Sequence, residues 1–343
     1  MQNKTWQLPE AVIEHLPQSA EQIEFLRRRF LDTARLWGFR FVMPPLVEYL
    51  DSLLAGSREL YLQTFKITDQ DSGKSMGIRA DITPQIARID AHRLPTDEIS
   101  RYAYCGEVLR TTTESLQPRR NPLIAGAELF GVKELSGDIE IISLLLQYLT
   151  ELNLKNSVLT LSHSGILETL AKDLNKSQRK KIAKALNFLN ATEDLPEEIK
   201  NLIELAQNGD LEELKKISGL EKVAEEIAEV EKLLKSYFPE QKIALDISNT
   251  GNYGYHSGIL FALYAAGHYG ALARGGRYDG LGEVYGKARA ATGFSLDLLT
   301  LSEILENKNS FKESERVELP TNNTEFKALN LRRLNGEIIS FKH

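Results

Sequence analysis

The stretch "ARGGRYDGL", Ala273 to Leu281, follows an apolar run, and "TGFSLDLLTL" (292–301) comes soon after it. A glycine-rich turn after a strand often cradles a phosphate, because backbone N–H groups reach an anion where no Cβ intervenes. These glycines lack the fixed G-x-G-x-x-G spacing of a dinucleotide fold. The stretch therefore serves either an ATP enzyme or a protein that has kept the cradle without the chemistry.

Working outward, the chain has 343 residues, 42% of them hydrophobic and 26% charged, enough for one large domain with an insertion or for two domains. A net charge of −6 leans against DNA or RNA as the main partner. The one cysteine, Cys105, rules out an intramolecular disulfide framework and suits a reducing compartment. It lies inside "RYAYCGEVLR" and reads as a buried structural thiol. The N-terminus "MQNKTWQLPE" has no apolar segment of the secretory kind. No apolar run approaches the roughly 20 residues that a bilayer requires. The expectation is a cytoplasmic chain with no membrane partner.

Residues 19–37 read as an amphipathic helix, capped by Ser19 with Gln22 completing a capping box, and stopped by Gly38. "FRFVMPPLVEYL" (39–50) reads as a short strand broken by Pro44-Pro45. "LYLQTFKITDQDSGKSMGIRADI" (60–82) reads as two strands joined by a turn at Asp71-Ser72-Gly73. A helix follows with Thr83 as N-cap and Pro84 in first position. "RYAYCGEVLR" and "LIAGAELFGV" are further strands around a loop from Thr111 to Pro122, and a helix spans about Asp138 to Leu152. Between 168 and 240, Leu211, Leu214, Ile217, Leu220, Val223, Ile227, Val230 and Leu234 recur at spacings of three and four, predicting helices. Strands resume at "KIALDIS", "SGILFALYAA" and "ALARGG", and "GFSLDLLTLSEIL" (293–305) reads as a helix. The tail beyond 303 is polar, with one amphipathic turn and a strand "GEIISF". Antiparallel strands interrupted by helices indicate an α+β domain.

Three stretches could carry chemistry. In "IRADITPQ", Arg79, Asp81 and Thr83 share one strand face, so carboxylate and hydroxyl together suit an ammonium group, unless they only cap the next helix. In "LIAGAELFG", Glu128 lies among apolar neighbours and needs a partner, either a structural arginine or a ligand N–H. In "NTGNYGYHSGILF", a glycine-rich loop delivers Tyr255 and His256 into a strand, where His256 is a ligand group or a core residue. No His/Cys cluster has metal-ligand spacing, and there is no Walker or G-x-S-x-G pattern.

The order of these segments resembles the catalytic domain of class II aminoacyl-tRNA synthetases, specifically the histidine enzyme, over about residues 5–305. "GFRFVMPPLVEYL" resembles motif 1, the dimer-interface segment, and "GIRADITPQ" resembles the L-R-P-E-x-T segment that holds the ammonium. "YAYCGEVLRTTTESLQPRRNPLIAGAELFG" resembles motif 2, with Arg110 at the arginine that grips the carboxylate and α-phosphate. "GYHSGILF" is similar to the histidine-specific Y-Y-T-G-x-x-F, "ARGGRYDGL" to A-G-G-R-Y-D-G-L, and "TGFSLDLLTL" to motif 3. The resemblance implies an antiparallel sheet flanked by helices, with a core at 1–167 and 241–305, a helical insertion at 168–240 and a short appendage at 306–343 that cannot supply an anticodon-binding domain.

The departures from that pattern bear on function. Thr112 replaces the acidic residue that would hold the adenine amino group, Asp297 stands at a motif 3 glycine, Thr300 at the arginine that stacks on adenine, and Gly251 at the arginine that assists activation. Losing one such charge-stabilising contact costs on the order of 10²- to 10³-fold in rate, so adenylation is not expected. The amino-acid side is kept: the resemblance implies a histidine-like pocket of Asp81, Thr83, Arg110, Glu128, Tyr255 and His256, with Ile124 where the family has a glutamine. With the ATP groups replaced, the chain is similar to the regulatory subunits of ATP phosphoribosyltransferase. That resemblance implies no catalytic residue, cofactor, metal or tRNA. It implies a homodimer through motif 1 inside a hetero-octamer with the short-form catalytic subunit of histidine biosynthesis, and allosteric feedback by histidine. The alternatives are an assembly scaffold with an empty pocket, and a histidine-activating synthetase-like enzyme.

Overall fold

A computed structural model describes residues 6–54, 57–112, 119–170, 175, 197, 200, 211–249, 256–305, 315–318 and 320–342. The chain opens with α1 (Pro17–Leu36), β1 (Arg40–Phe41), β2 (Val47–Tyr49), α2 (Leu50–Leu54) and α3 (Arg58–Gln63). The hairpin β3 (Phe65–Thr68) and β4 (Ser75–Ile78) follows, then α4 (Thr83–His92), β5 (Ser100–Glu107), β6 (Leu123–Phe130) and α5 (Leu135–Glu151). Next come β7 (Ser157–His163), α6 (Gly165–Leu170), α7 (Leu211–Lys215), α8 (Glu221–Tyr237) and β8 (Lys242–Leu245). The central strands β9 (Ile259–Ala265), β10 (Ala273–Arg277) and β11 (Ala291–Asp297) precede α9 (Leu298–Ile304). A small parallel pair, β12 (Glu315–Val317) and β13 (Ile339–Phe341), encloses α10 (Asn323–Leu334).

Eight strands form one sheet in the order β1-β5-β6-β11-β10-β9-β7-β8. The six inner strands are antiparallel, and only the outer pairs β1–β5 and β7–β8 run parallel. Because side chains alternate across a strand, one face carries Ala125, Ala127, Leu129, Phe294, Leu296, Phe261 and Leu263 into the main core beneath α1, α5 and α8. Phe30 of α1 meets Tyr148 and Phe294 edge to face, with centroids 5.4 and 6.1 Å apart. The apolar stripe Val223, Ile227, Val230 and Leu234 of α8 is buried in the same core. The opposite face, carrying Tyr104, Gly126, Glu128, Gly293 and Ser295 in register, is where α4 packs and where the site lies.

Most expected elements are present, with five corrections. Helix α1 begins at Pro17, whose fixed φ and missing N–H suit the first turn. Ser19 therefore does not cap it but donates to Leu16 O, and Gln22 reaches the carbonyls of Ser302 and Leu305. Gly38, at φ +83°, ends it as expected. "LYLQ" closes a helix capped by the Ser57 hydroxyl rather than opening a strand. Helix α5 starts at Leu135, before Asp138, and Thr83 is helical rather than an N-cap. "GFSLD" is not helix but the middle of β11, hydrogen-bonded on both sides, and α9 starts only after Asp297.

Gly275 and Gly276 of "ARGGRYDGL" likewise sit inside β10 rather than in a phosphate-cradling turn. Arg277 turns to the side away from Glu128 and donates to Asp138 Oδ2 from Nε (3.0 Å) and Nη2 (2.6 Å), and to the carbonyls of Val132 and Glu134. Both charged groups are buried, so the arginine of this stretch ties β10 to the start of α5. Among the described residues no helix is long and apolar enough to cross a membrane.

Candidate functional site

Asp81, Thr83, Arg110, Glu128 and His256 line one cavity of about 290 Å³ on the open face of the sheet. The sixth expected residue, Tyr255, and the departure at Gly251 lie outside the described residues. Each side chain is placed by the element that carries it. Glu128, on β6, stands opposite Gly293 of β11, where a Cβ would come within 1.6 Å of the carboxylate. Only glycine leaves room for Glu128 to lie over β11.

Among the described residues, neither an arginine nor another cation completes the Glu128 carboxylate. Thr83 donates to Oε1 at 2.8 Å, Tyr104 to Oε1 at 3.2 Å, and Tyr278 to Oε2. Burial pushes the carboxyl up to about 8; the Asp81 charge acts the same way, and the hydroxyl donors oppose it. Glu128 thus carries its proton over much of the neutral range and meets an imidazole as donor, or as carboxylate once the proton passes to the ring.

The raised value fixes a sign. The neutral form is favoured in the fold, so the stabilisation is whole below about 4.5 and is lost as pH climbs through about 8. Thermal unfolding of wild type and Glu128→Gln from pH 4 to 9 is expected to show wild type losing stability relative to the variant, by a few kcal/mol across that window. A pH-independent difference would show that Glu128 ionises normally. The amide is compatible with the site, because hydroxyls can donate to its oxygen and accept from its nitrogen.

Asp81 precedes α4, and its Oδ1 accepts from the N–H groups of Ile82 (2.7 Å) and Thr83 (3.3 Å). The helix-capping role is therefore Asp81's, while the Thr83 hydroxyl is committed to Glu128. Arg110 follows β5 and is paired through the backbone with Arg120, with Nε donating to Ala80 O at 3.3 Å. Burial lowers His256 to about 4, so its ring is neutral at physiological pH. Ile124 also lines the cavity.

The far end of the cavity is built differently. Thr112 is exposed, and Thr300 is buried in the first turn of α9. Asp297 caps that helix, accepting from the N–H groups of Leu299 and Thr300 and from the Thr300 hydroxyl. Where the resemblance places a cation over adenine, this chain has the Thr300 hydroxyl, with Asp297 at a motif 3 glycine position. Arg119 pairs with Asp297 and Glu303 across that end.

Tyr278, Tyr104 and Arg119 were not among the expected site residues. Tyr278 stands within "ARGGRYDGL" itself, yet its partner Glu128 is 150 residues away in sequence. Tyr104 lies on the same strand face as Tyr102, a signal of facing but not of partner. Among the described residues no group of three His, Cys, Asp or Glu side chains is placed to hold a metal ion.

A family model described as histidyl-tRNA synthetase matches residues 12–301. An ATP phosphoribosyltransferase regulatory subunit from Marinomonas sp. (strain MWYL1) is 42% identical, over 88% of this chain and 84% of its own. One from Thioalkalivibrio sulfidiphilus is also 42% identical, over 86% of this chain and 80% of its own. The chain belongs to the ATP phosphoribosyltransferase regulatory subunit family. An ATP phosphoribosyltransferase regulatory subunit/histidyl-tRNA synthetase from Bacillus halodurans C shares the fold, with TM-score 0.85 and 24% identity over 100% of this chain and 94% of that one. A chain of an ATP phosphoribosyl transferase (HisG:HisZ) complex from Thermotoga maritima matches at TM-score 0.63 and 18% identity, over 80% of this chain and 97% of that one. In this family member the class II synthetase-like sheet is retained, with the Thr300 hydroxyl where the synthetase pattern places a cation.

Proposed function

We propose that the chain is a non-catalytic regulatory subunit, required by a short-form ATP phosphoribosyltransferase catalytic subunit and conferring feedback by histidine. The observation that carries this is the division of the cavity. One end offers an ammonium partner at Asp81, an imidazole partner at Glu128 and an arginine at Arg110, while at the other end Thr300 stands where the resemblance places the adenine-stacking arginine and Arg119 is tied up by Asp297 and Glu303. A triphosphate gains nothing from the Asp297 carboxylate beside that position, whereas an amino acid finds partners for its ammonium and imidazole at the first end. By the resemblance, Tyr255 and His256 belong to the amino-acid side, and Thr112, Gly251 and Thr300 mark the lost ATP contacts.

The partner set follows from the family resemblance. The chain dimerises through the motif 1 segment, where Phe41, Met43, Leu46 and Tyr49 present exposed apolar surface, and the dimers join catalytic subunits in a hetero-octamer in the cytoplasm. It takes neither tRNA nor cofactor. The pocket belongs to the core of 1–167 and 241–305, with 168–240 as a helical insertion that docks α8 on the sheet and 306–343 as an appendage.

Two assays on the isolated chain test this. Histidine is expected to bind in calorimetry, and histidine-dependent ATP–pyrophosphate exchange is expected to stay at background. Exchange well above background would restore the synthetase alternative. Absence of histidine binding, together with full activation of the catalytic subunit, would leave a scaffold with an empty pocket.

A further inference from the structure

Arg119 stands on the return limb of the loop after β5 and reaches across the cavity to α9. Its guanidinium lies 3.6 Å from Asp297 Oδ2, donates to the Thr300 hydroxyl at 3.5 Å, and pairs with Glu303. The side chain lines the cavity and is only 10% exposed. Its Nε–H is buried without a hydrogen-bond partner, an unfavourable state for a charged donor. Two of its contacts sit at the long limit of useful geometry.

The partners can release it at little cost. Asp297 keeps its bonds to Leu299 N (2.9 Å), Thr300 N (3.2 Å) and the Thr300 hydroxyl (3.0 Å) whether or not Arg119 stays. Glu303 is 51% exposed and can turn to water. An arginine with unmet donor capacity, facing acceptors that do not depend on it, is available to a ligand that offers it better geometry. Its planar fork matches one ligand group above others, a carboxylate held by two parallel N–H bonds.

We propose that Arg119 anchors the carboxylate of the amino-acid ligand, which takes it from Asp297 and Glu303 on entry. This rests on the pocket proposed above and adds a residue outside the motif positions, beside the motif 2 arginine Arg110. The exchange also has somewhere to lead. Releasing Arg119 removes one tie to α9, and the Ser302 and Leu305 carbonyls at the end of that helix accept from Gln22 of α1 at 3.1 and 2.8 Å. Helix α1 runs into the segment proposed for dimerisation, so occupancy of the pocket bears on an element outside it.

Calorimetric titration of histidine into the purified chain tests the proposal through opposite signs. Arg119→Met is expected to weaken binding by about 10- to 100-fold, the worth of a charged hydrogen bond. The double variant Asp297→Asn with Glu303→Gln, in which Asn still caps α9, is expected to tighten binding by several-fold to about tenfold, because the ligand no longer competes for the arginine. Arg119→Lys, keeping charge without the fork, should fall between wild type and Arg119→Met, and thermal melts check that each variant folds. Weakening in both Arg119→Met and the double variant would mean a purely structural clasp. Equal affinities in all variants would overturn the proposal while leaving the pocket standing. A wild-type chain that bound no histidine would overturn the pocket and this proposal together.

Discussion

Glu128→Gln is expected to raise the histidine concentration that half-inhibits the phosphoribosyltransferase complex by about 10²-fold, with activation of the catalytic subunit retained. Glu128 is 1% exposed and its partners are three hydroxyls, so the carboxyl is the group that can pair with an imidazole there by charge. A buried charged pair is worth more than a neutral hydrogen bond, and glutamine keeps the shape and the hydroxyl contacts while removing the charge. Assays of the reconstituted complex over a histidine titration read both quantities at once. Unchanged half-inhibition would place the feedback site elsewhere, and lost activation would mean that the variant had disturbed more than the pocket.

Asp138→Asn is expected to destabilise the chain by about 3–5 kcal/mol, because it leaves the Arg277 charge buried without its counter-charge. Arg277 is 5% exposed and Asp138 is fully buried, and the pair joins β10 to the first turn of α5 at the centre of the sheet. Burial raises the Asp138 carboxyl, and the arginine opposes that rise; the Val132 and Glu134 carbonyls and a longer contact to Asp279 (3.4 Å) hold the rest of the guanidinium. Thermal unfolding should fall by roughly 5–10 °C for a chain of this size. Replacing both partners, Asp138→Leu with Arg277→Met, should recover much of the loss, since an apolar pair of similar volume can substitute for a buried ion pair. A single variant that melts within a degree of wild type would show that the pair contributes little.

How much of this was legible in the sequence depended on the range of the interaction. Strands β5 and β6 stand out in "RYAYCGEVLR" and "LIAGAELFGV", and the ladder pairs them residue for residue from Ser100–Phe130 to Glu107–Leu123. The α8 stripe was legible because a helix buried on one face repeats at three and four. "GFSLD" was not, because its alternation of Phe294 and Leu296 with Ser295 and Asp297 is only four residues long and runs straight into the apolar first turn of α9. Asp81, Thr83, Glu128 and His256 could be named as a set from segment order. Their geometry could not: Thr83 bonds Glu128 across 45 residues and Tyr278 does so across 150. The meaning of "ARGGRYDGL" changed most. Gly275 and Gly276 leave the sheet floor clear, Arg277 faces the core and Tyr278 faces the pocket, so neither charge nor spacing in that stretch told the three roles apart.

The most direct measurement is phosphoribosyl-ATP formation by the cognate short-form catalytic subunit, with and without this chain, across a histidine titration. The expected result is little activity from the catalytic subunit alone, strong activation on adding the chain, and inhibition by histidine only in the complex. A catalytic subunit that is active by another test, yet gains neither activity nor histidine sensitivity from the chain, would contradict the regulatory role.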